Sequence, residues 1–77
     1  MREDIKIIID HNNKLLSKLT ARLDNFNKFK DMTLGELDDY SKRELDKLIS
    51  YTQERINTIN NYINKLKKDF GDDNDTK

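Results

Sequence analysis

The side chains able to do chemistry are few, and their spacing decides what each can do. His11 is the single histidine, set beside Asn12 and Asn13. Its neighbour Asp10 points elsewhere on a helix, and a metal site needs further ligands at helical spacing, so His11 reads as a surface residue. Lys14, Lys18 and Arg22 recur at four-residue intervals and form a basic ridge. Such a ridge can grip phosphate, but acidic residues further along the chain are numerous enough to neutralise it by pairing across helices. Lys42, Arg43 and Lys47 form a second basic cluster, interleaved with Glu44 and Asp46. Tyr40, Tyr51 and Tyr62 recur every eleven residues, almost three helical turns, and so lie along one side of a helix. Tyrosines so placed flank an apolar seam or contact a partner.

Other chemistries leave no trace in the residue types. There is no glycine-rich phosphate loop, no nucleophile–histidine arrangement and no paired metal-ligand set. Carboxylates are plentiful, but none stands where burial would tune it for acid–base work. Cysteine is absent, which excludes thiol catalysis and zinc–thiolate sites in this sequence. The expectation is therefore a non-enzymatic protein with no catalytic residue, cofactor or metal.

Composition narrows the class further. The chain has 77 residues, with 34% hydrophobic and 39% charged. A chain of that size stands near the limit for a self-sufficient core. Its balance suits long helices with a narrow apolar seam, and with no proline and two glycines little interrupts them. Lys+Arg and Asp+Glu both number 15, and this zero net charge argues against a dedicated nucleic-acid binder. The longest apolar run, Ile7-Ile8-Ile9, is far short of a membrane span, and Glu3 and Asp4 stand where a secretory signal would be basic. The expected location is cytoplasmic, without membrane contact. The richness in Asn, Lys and Ile resembles that of an AT-rich genome, such as a low-GC bacterium or its phage.

The elements follow from hydrophobic spacing. Ile5, Ile8, Asn12, Leu15, Leu19, Arg22, Phe26 and Phe29 alternate at three and four residues, and Ile9, Leu16 and Leu23 widen that stripe. This three-in-seven pattern predicts an amphipathic helix over 3–30. Asp10/Lys14 and Asp24/Lys28 are stabilising i,i+4 pairs on it. A turn is expected over 31–33. Thr33 and Glu36 have the spacing of a capping box, with Met32 and Leu37 as its hydrophobic staple, which predicts a second helix over 34–70. Its seam is Leu45, Ile49, Thr52, Ile56, Ile59, Ile63, Leu66 and Phe70, flanked by Leu48 and Tyr62. Lys65, Lys67 and Lys68 complement the helix dipole at its end, and Gly71 is the expected C-cap. Residues 71–77 read as a disordered acidic tail.

Together these elements predict an all-α, two-helix antiparallel hairpin. A turn centred on Met32 brings residues opposite each other when their numbers add to about 64. Ile8 then meets Ile56, Ile5 meets Ile59, and Lys18 meets Asp46. Asn12 and Thr52 fall in one layer, where a hydrogen bond between them would fix register. In that register the second helix overhangs the first, leaving Tyr62, Ile63, Leu66 and Phe70 without intrachain partners. Each seam is also covered on one side only. Both points predict self-association, most simply an antiparallel homodimer forming a four-helix bundle, with those four residues and Tyr51 as the contact surface.

One local stretch carries a resemblance. Ser41-Lys42-Arg43-Glu44-Leu45-Asp46-Lys47-Leu48-Ile49 resembles the signature of the small sporulation aspartyl-phosphate phosphatases, helical hairpins that act on a response regulator. Their signature is a Ser, two residues, then Leu-Asp followed by Lys-Leu-Ile. Here Ser41 lies one residue further upstream, and Lys42 takes its place. The resemblance implies Asp46 and Ser41 as the positions of interest. The layout is also similar to that of small hairpin dimers that act on RNA pairing, and a structural assembly module shares it too. The reading that best joins the residues is a small helical protein that binds itself and modulates a larger protein partner by helix-to-helix contact.

Overall fold

The computed structural model describes residues 2–33 and 35–70. It contains two helices, α1 (Glu3–Met32) and α2 (Asp39–Phe70), packed against each other along their length. The start of α1 lies beside the end of α2, with the Arg2 guanidinium 5.9 Å from the Phe70 ring centroid. At the other end Lys30 Nζ donates to Asp46 Oδ1 at 2.8 Å. The helices therefore run antiparallel, as a helical hairpin 58 Å long and 16 by 14 Å across.

The turn differs from the expected one for a physical reason. Thr33 does not cap α2. Its hydroxyl donates back to the Phe29 carbonyl at 2.7 Å, and its N–H donates to the same oxygen at 3.0 Å, which closes α1 two residues later than expected. The Glu36 N–H then bonds the Thr33 backbone carbonyl, not its hydroxyl, at 2.9 Å. Gly35 is the third residue of that turn and has φ +87°, a conformation that side chains resist. Asp38 takes over as the N-cap of α2, its Oδ1 accepting the Ser41 N–H at 2.8 Å. The second helix thus starts at Asp39, five residues after the expected position. Leu34 lies outside the described residues, as do Gly71 as a C-cap and the acidic tail.

Moving the turn changes the register. Arg2 lies against Phe70 and Lys30 pairs with Asp46, so opposed residues have numbers adding to about 72–76, not 64. That register sets Ile5 across from Leu66 and Phe70, Ile9 from Ile63 and Leu66, Leu16 from Ile56 and Ile59, and Leu19 from Thr52 and Ile56. The buried cluster has this composition: Ile5, Ile9 and Leu19 from α1 with Ile56, Ile59, Ile63 and Leu66 from α2. Leu45 is buried nearer the turn. The helices have 30 and 32 residues and neither overhangs.

Asn12 and Thr52 do not share a layer in this register. An offset of about eight residues or more, at least about 12 Å, separates them along the hairpin. Each is satisfied within its own helix: Asn12 Nδ2 donates to the Ile8 carbonyl at 2.8 Å, and Thr52 Oγ1 donates to the Leu48 carbonyl at 2.7 Å. Thr52 is buried and Asn12 half-buried. Burying these groups needs no cross-helix partner, so they exert no pull on register. The expected Lys18–Asp46 pairing is replaced by Lys30–Asp46 for the same reason.

Candidate interaction surface

A three-in-seven stripe is wider than one neighbouring helix can cover, and the rotation of α1 decides which part is left out. The helix turns Ile5, Ile9 and Leu19 inward, with Leu16 and Leu23 packed beside them. The residues that formed the other edge of the stripe, Ile8, Leu15, Arg22 and Phe29, therefore lie on its flank at seven-residue intervals. Phe29 is 48% exposed and Leu15 half-buried. On α2 the corresponding flank carries Leu48, Arg55 and Tyr62, also seven apart, with Tyr51 beside them. Tyr51 is 59% exposed, and Leu48 and Tyr62 are nearly as open.

These two flanks lie on the same side of the hairpin. Ile8 and Leu15 follow the seam positions Ile5 and Asn12 by three residues; Leu48, Arg55 and Tyr62 follow Leu45, Thr52 and Ile59 by three. Two right-handed helices running in opposite directions place equal offsets from a shared seam on one face of the pair. The opposite face is polar: Lys6, Asp10 and Asn13 of α1 line one shallow hollow there with Lys67 of α2. The hairpin is thus amphipathic as a whole, with one apolar strip and one charged face.

The residues expected to meet a partner fall into two groups. Ile63, 4% exposed, and Leu66 belong to the intrachain core, and Phe70 packs against it. The lack of an intrachain partner, which was the ground for expecting them at an interface, is overturned. Tyr51 and Tyr62 remain open on the strip. Ile8 and Phe29, assigned by spacing to the seam, join them there, while Leu15 packs against the core from the edge of the strip. The signal for this was the width of the stripe: Ile8 and Ile9 cannot both face a single neighbour.

Electrostatics around the strip are mild. The Arg55 guanidinium lies 6.0 Å from the Tyr51 ring centroid, so the arginine stem and ring cover one another. The expected pairs Lys14–Asp10 and Lys28–Asp24 form at 3.3 and 3.2 Å, fully in solvent. Asp38 has a lowered pKa. The Ser41 hydroxyl, followed by the Ser41 backbone N–H, holds its carboxyl below the ordinary value of 3.8. Ser41 is thereby tied to the start of α2, while Asp46 is tied to Lys30. Five residues apart on one helix, the two are turned about 140° from each other and share no face.

Nothing resembling an enclosed small-molecule site accompanies the strip. The best-formed hollow, about 120 Å³ beside the turn, is lined by Lys30, Thr33, Leu37, Lys42, Leu45 and Asp46. Ligand pockets are typically about 300–1,000 Å³. Among the described residues no three His, Asp or Glu side chains are grouped for a metal ion, and no helix is long and apolar enough to cross a membrane. Comparison with protein families, curated proteins and solved structures finds no match.

Proposed function

We propose that this chain is a small, non-enzymatic interaction protein that acts by laying its apolar strip against helices of a protein partner, which it thereby modulates. One observation carries the reading: Ile8, Phe29, Leu48 and Tyr62 stand open along one side of both helices with Tyr51 beside them, while the opposite side is lined by polar residues such as Lys6, Asp10, Asn13 and Lys67. A free two-helix hairpin gains nothing from that asymmetry. Large apolar side chains left open along one face are characteristic of a protein-contact site, and helix against helix in a groove is the recognition mode the geometry suits. The bacterial or phage setting and cytoplasmic location expected from composition are consistent with it.

A photo-crosslinking residue placed at Tyr51 or at Asn57 separates this reading from its absence. The two positions lie on opposite sides of α2. Adducts with protein formed in the native host from position 51 and not from position 57 are the expected result. Equal labelling from both positions, or none from either, would sink the proposal.

A further inference from the structure

We infer that the occupant of the apolar strip is a second copy of this chain, docked strip to strip to complete a four-helix bundle; this deepens the reading above and rests on it. The strip is self-complementary in kind. Both helices contribute to it, apolar residues flank Arg22 and Arg55 along it, and every side chain in it would be presented twice about a two-fold axis. The area is sufficient. A 30-residue helix is about 45 Å long, so a face 16 Å wide offers roughly 700 Å² per chain. Standard stable interfaces take about 600–1,000 Å² per partner, a range that includes this face. A zero net charge puts no overall repulsion between copies.

The test is sedimentation velocity across micromolar concentrations on the full chain, with helicity followed by circular dichroism. Three proteins are compared: the wild type, the double variant Leu48→Asp/Tyr62→Asp, and Ile7→Asp. Ile7 is 62% exposed but lies off the strip. Because all three sites are open in the single hairpin, the variants retain their helices. The expected result is a dimer for the wild type and Ile7→Asp, and a dissociation constant raised at least about 100-fold for the strip variant. A wild type that stays monomeric, a mass above a dimer, or a strip variant as dimeric as Ile7→Asp overturns the inference. If the wild type is monomeric yet still crosslinks another protein from position 51, only the second copy is refuted and the interaction reading stands. Loss of both results removes both.

Discussion

Replacing Ile63 by Ala probes the part of the fold where the obvious register and the observed one differ most. In a hairpin turning at Met32, Ile63 would hang beyond the first helix, and its truncation would leave folding untouched. In the structure it is 4% exposed, in the same buried cluster as Ile5, Ile9, Ile59 and Leu66. The substitution removes three carbons from that cluster. At about 0.8 kcal/mol per buried methylene-sized group the transfer loss is about 2.4 kcal/mol. A cavity would add to this, but the core is only two helices thick and can collapse around the gap, so the total should stay near 2–3 kcal/mol, the lower part of the range for such truncations. Domains of this size have about 4–11 kcal/mol of stability in all, so the effect is a large fraction. Urea denaturation followed by circular dichroism at a fixed chain concentration reads it directly. Ile7→Ala, off the core, should change stability by less than about 0.5 kcal/mol under the same conditions. A loss below about 0.5 kcal/mol for Ile63→Ala would refute the packing assigned to this end of the hairpin.

Three other perturbations test the turn and its flanks. Gly35→Ala should destabilise by about 1–2 kcal/mol, because φ +87° is strained for any side chain although space around it is open; an unchanged urea midpoint would show that the turn has another conformation. Asp38→Ala should lower the melting temperature, with Asp38→Asn retaining more of it, since the amide oxygen can still accept the Ser41 N–H. The Asp38 carboxyl is held below its ordinary value in the folded state, so its contribution is present above pH about 4 and fades as pH falls through the lowered value; a wild type whose acid unfolding matches that of Asp38→Ala would contradict this. A double-mutant cycle on Lys30 and Asp46 should give a coupling of at most about 1 kcal/mol that shrinks with added salt, because both side chains are about half exposed.

Much of this fold was legible in the sequence, and the part that was not has a common cause. The apolar spacing around Ile5, Leu19, Ile56 and Ile63 is enough to predict two long helices and their fold-back. Pairs such as Asp10–Lys14 followed from helix geometry alone. What spacing does not decide is the competition for the residues between the helices. Thr33 can cap the second helix or bond back to Phe29 and end the first. The second option wins alongside Gly35, whose positive φ cannot belong to a first helical turn. Asp38 then supplies a strong cap five residues beyond Thr33 and two beyond Glu36. A change of about 8–12 in the register sum followed from that one local choice, because apolar residues spaced three and four apart fit more than one alignment.

The candidate surface was only half legible for the same reason. Tyr51 and Tyr62 were visible as flanking aromatics. Ile63, Leu66 and Phe70 were misplaced once the overhang was assumed, and Ile8 and Phe29 were counted as seam because nothing in the spacing says which edge of a broad stripe faces the neighbour. The rotation of α1 settles that question: Ile9, Leu16 and Leu23 go inward, and the strip is what remains. Coincidence of the two polar seam residues, Asn12 and Thr52, looked like a register signal. It carried no weight because each hydroxyl or amide reaches a carbonyl of its own helix.

Core and strip both depend on the register, so the most direct measurement is a set of methyl–methyl nuclear Overhauser contacts on selectively labelled chain, with isotope filtering to keep contacts within one molecule. The account predicts contacts from Ile9 to Ile63 and from Ile5 to Leu66. Contacts from Ile8 to Ile56 and from Ile5 to Ile59 in their place would contradict it, and would return Ile63 and Leu66 to the surface.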